Sequence, residues 1–114
     1  MGIDPTFQPK TETYVVDSSA AVTIDGRQRG VTSWRIDAVG TGAQIVKWGP
    51  PPPATAPVIV TPAVGAIMQN QLNINATNTI YIEGVGAFLT FVSNVAFATA
   101  HLEITGGQGG CSVS

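Results

Sequence analysis

Apolar and polar residues alternate over short stretches along most of the chain. Clusters of Gly, Pro, Asn and Asp interrupt the alternation roughly every eight to twelve residues, the pattern of many short strands. Thr13-Tyr14-Val15-Val16 is the first predicted strand, and residues 20–24 form the second, ending at the turn signal Asp25-Gly26. Over residues 31–39, Thr32, Trp34, Ile36 and Ala38 alternate with Ser33, Arg35 and Asp37, which predicts a half-buried strand with one polar face. Gly40-Thr41-Gly42 turns the chain into another short strand over residues 43–48. Ile80 and Ile82 alternate with Thr79, Tyr81 and Glu83, and Gly84-Val85-Gly86 then leads into residues 87–93, a pair that reads as a hairpin. Residues 88–92 are apolar on both faces, as in a central strand. Residues 95–105 place Ala96, Ala98, Ala100, Leu102 and Ile104 on one face and Val95, Phe97, Thr99, His101 and Glu103 on the other.

The middle of the chain is less regular. Residues 50–53 are four consecutive prolines, which have no N–H to give a ladder and predict a stiff polyproline II connection. Residues 57–61 read as a strand with its Pro at the start. Residues 61–70 admit one short helix, with Thr61 and Pro62 suited to N-cap and N1, although Gly65 weakens it. Leu72 and Ile74 return the chain to strand. About eight short strands with at most one short helix define an all-β single domain, a β-sandwich or jelly roll. Its organisation is predicted as an extended arm over residues 1–12, the sandwich over 13–105, and a flexible Gly/Ser-rich tail over 106–114.

Composition changes the picture in one respect. Charged residues are only 11% of the 114, against roughly a quarter in ordinary soluble domains. Five Lys+Arg and seven Asp+Glu leave much of a globule's exterior uncharged, so that exterior is expected to lie against other chains, and a homo-oligomer, a trimer by preference, is predicted. A monomer solvated by Thr, Asn, Gln and Ser is the alternative. The net charge of −2 gives no basic surface for a phosphate backbone, so nucleic acid is not an expected partner. No apolar run approaches the ~20 residues a membrane helix needs, and the start of the chain lacks a secretory pattern, so no membrane is expected and synthesis in a cytoplasm is. Met1-Gly2-Ile3-Asp4-Pro5-Thr6 satisfies a loose acylation pattern but also reads as an expression leader.

Candidate chemistry is sparse. The sole histidine, His101, shares a predicted strand face with Thr99 and Glu103. Same-face neighbours lie about 6.5–7 Å apart, however, beyond the mutual hydrogen bonds of a nucleophilic triad. Cys111 sits among glycines with no orienting base, and one His with one Cys cannot make a zinc site. Asp17, Asp25 and Asp37 lack calcium-loop spacing, while Asp37, Glu83 and Glu103 are the carboxylates from which a glycosidase pair could come. Asn75-Ala76-Thr77 is a formal glycosylation acceptor, read as a coincidence without a secretion signal. No catalytic, cofactor or metal residue is assigned, and no enzyme activity is expected. The residues selected as candidate interface are Tyr14, Arg27, Arg29, Trp48, Phe97 and His101, with the two arginines expected on a solvated hairpin tip.

Across residues 10–105 this Ala/Val/Thr/Asn/Gly-rich chain, with segments such as Thr79-Ile80-Tyr81-Ile82-Glu83-Gly84, resembles small all-β virion proteins of tailed bacteriophages, the capsid cement or decoration kind. The resemblance implies a virion protein, made in the host cytoplasm, that oligomerises at symmetry positions and staples adjacent major capsid subunits. A tail, fibre or head-spike component is the rival in the same setting. A carbohydrate-binding β-sandwich using Trp34, Trp48 or Tyr81 is the rival from another class. Trp34 is expected inward, which leaves Trp48 as the better stacking platform.

Overall fold

In a computed structural model, which describes residues 6–75 and 77–109, the chain forms eight strands. They are β1 (Gln8–Val16), β2 (Val22–Asp25), β3 (Ser33–Gly40), β4 (Gln44–Gly49), β5 (Gln71–Ile74), β6 (Thr79–Glu83), β7 (Phe88–Ser93) and β8 (Ala100–Gln108). Two four-stranded antiparallel sheets face each other, one ordered β1-β8-β3-β6 and the other β2-β7-β4-β5. First pairs with last, second with seventh, third with sixth and fourth with fifth, which is the wrapping of a jelly roll. The only helical element among the described residues is a 3-10 turn at Arg27–Arg29.

Alternation on each strand supplies the core. Val16, Trp34, Ile36, Ile82, Leu102 and Ile104 come from one sheet, and Ile24, Val46, Trp48, Ile74, Leu89 and Phe91 from the other. Trp34 stands at the centre with no exposed surface, and its Nε1 donates to the Gly86 carbonyl at 2.8 Å, so its polar atom is buried at no loss. The Phe91 ring meets it edge-on at 5.1 Å and 64°. Gln44, also fully buried, reaches from β4 to the opposite sheet. Its Nε2 donates to the carbonyls of Val39 at 3.0 Å and His101 at 3.1 Å, residues that are register partners in β3 and β8.

Several local expectations are corrected. The predicted hairpins at Asp25-Gly26 and Gly84-Val85-Gly86 are crossings between sheets, since β2 and β3, like β6 and β7, lie in different sheets. Residues 57–61 form no strand. The Gln71 side chain serves in place of a ladder, its Oε1 accepting from Val60 N at 2.9 Å and its Nε2 donating to Val60 O at 2.8 Å. Residues 61–70 form no helix: Gly65 takes φ +83°, and Val64 and Ile67 have no surface to bury against. β8 begins at Ala100 rather than at residue 95, because the chain must first turn from one sheet to the other, with Thr99 N and Ala100 N both donating to Ala96 O. Ala96 and Ala98 therefore do not extend the small-residue face.

Both ends of the sandwich also lie further out than expected. Residues 8–12 belong to β1, with Gln8 opposite Gln108 and Pro9 opposite Gly107, and residues 106–108 complete β8. The two glycines that read as tail are there for contact. A Cβ on Gly106 would stand 2.9 Å from the Trp34 ring and 3.0 Å from Val31, while one on Gly107 would collide with Gln8 O and stand 2.6 Å from the Phe7 ring. Residues 1–5 and 110–114, with the acylation pattern and Cys111, lie outside the described residues, as does Ala76 of the formal acceptor. Replacing Gly106 with Val should cost about 1–3 kcal/mol through overpacking against Trp34. At about 4–8 °C per kcal/mol for a domain of this size, the calorimetric melting temperature should fall clearly. An unchanged value would mean that the end of β8 is not part of the sandwich.

Candidate functional site

The crossings gather at two ends. At one end, the β4–β5 and β6–β7 connections border a concavity of about 460 Å³ lined by Trp48, Pro50, Pro51, Asn70, Val85 and Phe88, with Gly49, Gly84 and Leu89. The long connection over residues 50–70 begins and ends on it. Asn70 takes the left-handed φ of +55° that Asn tolerates, and its carbonyl accepts from Trp48 N at 3.1 Å, which closes the loop onto β4. Gly49 packs under Pro57, whose ring atoms are 3.4–3.5 Å from where a Cβ would sit. Arg27 lies over the Phe88 ring at 4.2 Å, and Asp25 holds it at 2.8 Å. That carboxylate raises the Arg27 guanidinium above its ordinary value, and the Arg27 hydrogen bonds lower the Asp25 carboxyl below its own. The lining itself carries no charge.

The loop leaving this concavity is apolar and uncovered. Val64 is fully exposed, Ile67 79% and Val58 74%, with Met68 and Leu72 partly so. No charged residue occurs between Lys47 and Glu83.

At the other end, Phe97 stacks on the His101 ring at 4.8 Å and 21°, and His101 Nε2 meets Glu103 Oε2 at 3.0 Å. The spacing argument against such a contact is corrected, since the two side chains lean along the strand and meet. Thr99 is in the preceding turn, so the predicted Thr-His-Glu row does not form. Asp37 lies opposite Glu103 in the β3–β8 register, but each has its own partners. Asp37 pairs with Arg35 at 3.2 Å and accepts from Thr79 Oγ1, while Glu103 takes the imidazole. The arrangement fixes the histidine in place, covered by Phe97 on one face. Among the described residues no group of three or more His, Cys, Asp and Glu is placed to hold a metal, and no helix is long and apolar enough to cross a membrane.

The six predicted interface residues are therefore divided. Phe97 and His101 come together, with Phe97 57% exposed. Trp48 lines the concavity itself, and Arg27 approaches it over the Phe88 ring. Arg29 turns away to β1, donating to Lys10 O at 3.2 Å and pairing with Glu12 at 3.4 Å, so the two arginines form no cationic cluster. Tyr14 faces inward and packs against the core. Trp48 is 7% exposed, which leaves little of its ring for stacking on a sugar. The loop residues Val58, Val64, Ile67 and Met68 were missed because strand and helix patterns absorbed them; the charge-free run around them was the signal.

No protein-family model, curated protein or solved structure matches the chain.

Near the Phe97 cluster, the Ser19 hydroxyl and backbone N–H both donate to Asp17 and hold its carboxyl below the ordinary 3.8. A carboxylate depressed in the folded state stabilises fully above its unfolded value and loses that contribution as pH falls through the folded one. Ser19→Ala removes the larger cause, so an NMR titration should show Asp17 moving up toward 3.8, with the acid limb of the stability profile flattened. An unmoved titration would contradict the assignment.

Proposed function

We propose that this chain is a non-enzymatic assembly protein of the virion, a jelly-roll subunit that stabilises a phage capsid by binding across major capsid subunits. The observation that carries the reading is the exposed, charge-free apolar loop over residues 50–70, held on a rigid sandwich. Contiguous exposed apolar surface of this kind marks sites of interaction with other proteins. Jelly rolls host shell subunits, lectins and other binding modules, so the fold is compatible with the reading and the surface chemistry supports it. The mechanism is burial. A domain that binds only the assembled shell stabilises it by mass action, about 2.7 kcal/mol per site when free domain is at a hundred times its dissociation constant.

The test is to compare particles assembled with and without the chain. Purified particles should contain it in fixed stoichiometry by quantitative mass spectrometry, and those lacking it should release their genome at a lower temperature. Its absence from particles, or identical release temperatures, would overturn the reading. Esterase, protease and glycosidase screens should show no turnover. Reproducible activity in the parent that His101→Gln abolishes would overturn the non-enzymatic assignment.

A further inference from the structure

We propose that Met68 is an oxidation site, and that the oxidation state of its sulfur sets how firmly the β4–β5 loop is latched to the sandwich. Met68 is the only sulfur-bearing side chain among the described residues, and it is 44% exposed. Asn70 follows it in the left-handed conformation at φ +55°, and Met68 folds back over Gln71 at the start of β5. The Gln71 amide makes three contacts there. Its Oε1 accepts from Val60 N at 2.9 Å, while its Nε2 donates to Val60 O at 2.8 Å and to the Met68 sulfur at 3.3 Å. Residues 57–60 form no ladder, so the two bonds to Val60 are what ties this part of the loop to β5. The exposed sulfur thus sits on the same amide nitrogen that closes the latch.

The oxidant is a hydroperoxide such as hydrogen peroxide. The sulfur lone pair attacks one peroxide oxygen, the O–O bond breaks as the S–O bond forms, and the second oxygen leaves as water after taking up the proton. Sulfur loses two electrons and the peroxide gains them. The product exchanges a weak acceptor for a polar S–O group that accepts strongly. A hydrogen-bonded oxygen would stand about 2.7–3.2 Å from Nε2, and the sulfur already stands at 3.3 Å. An oxygen added on that side displaces the sulfur or turns the amide, and it draws Nε2 away from Val60 O. The amide is planar, so its Oε1 and Nε2 hold Val60 in one orientation only, and a turn toward the sulfoxide loosens both bonds. Trp48 N on Asn70 O is untouched, so the base of the loop stays closed while residues 57–60 are released.

The experiment treats the full chain, its Cys111 thiol capped with N-ethylmaleimide, with hydrogen peroxide and maps the product by peptide mass spectrometry. Met68 should gain the mass of one oxygen atom. By NMR, the Val60 amide should then exchange with water about two- to tenfold faster, the range set by the net worth of one hydrogen bond, with the melting temperature unchanged. Methionine sulfoxide reductases specific for the two epimers, used together, should restore the original rate. Met68→Leu, similar in volume and without the sulfur, should keep slow exchange before and after peroxide. Gln71→Ala should show the fast exchange with no peroxide added. A Met68 that stays unoxidised under conditions that oxidise a free methionine peptide overturns the proposal. So does complete oxidation with the Val60 rate unchanged, a fallen melting temperature with general loss of protection, or a Met68→Leu chain that responds to peroxide as the parent does.

Discussion

The structure depends on the pairing of the last strand with both the first and the third. β8 lies between β1 and β3, with Gly106 under the Trp34 ring and Leu102 opposite Val16. The first sheet is not complete until β1 and β8, almost a full chain length apart, have met. The missing side chain at Gly106 lets the Trp34 ring lie flat in the core, and the one missing at Gly107 lets Phe7 cross the outer face to reach Tyr81 at 5.6 Å. With so few local pairings, folding is expected to be slow for the domain's size.

The β4–β5 loop lies at the same end as this closure, where Trp34 also reaches the Gly86 carbonyl in the β6–β7 crossing. The β4–β5 loop is anchored at its base by Trp48 N on Asn70 O and partway along by the Gln71 amide on Val60. Between these anchors its residues contribute little to the core, and their chemical character is a property of the surface. That surface is charge-free and apolar, whereas the outer face of the β1-β8-β3-β6 sheet carries matched polar groups: Thr13 with Thr105, Arg35 with Asp37, and His101 with Glu103. The loop and this sheet face thus meet their surroundings differently: the face pairs its polar groups with one another, and the loop is apolar and exposed.

The architecture was legible wherever a strand alternates in isolation. Trp34, Ile36 and Ala38 point inward as their spacing requires, and the all-β sandwich follows from the number of such segments. What alternation cannot convey is the sheet to which a strand belongs. The Gly84-Val85-Gly86 turn looks the same whether it closes a hairpin or crosses between layers, and residues 95–99 keep their alternation through a turn. The glycines at 106 and 107 resembled a tail because the groups they make room for, Trp34 and Phe7, are distant in sequence. Of the candidate site, the low charge content pointed to the exterior without saying where on it to look. Its location was hidden because Val58 through Met68 satisfied strand and helix templates in a segment with no partner to pack against.

Hydrogen–deuterium exchange of the chain, free at high dilution and in its assembled form, shows which surface assembly covers. Amide exchange reports which backbone becomes covered. Protection gained on assembly should concentrate in residues 50–72 and in the β6–β7 crossing at 84–88, with β1, β3 and β8 almost equally protected in both forms. Protection gained only on the outer face around His101 and Glu103, with the loop still exchanging freely, would contradict it.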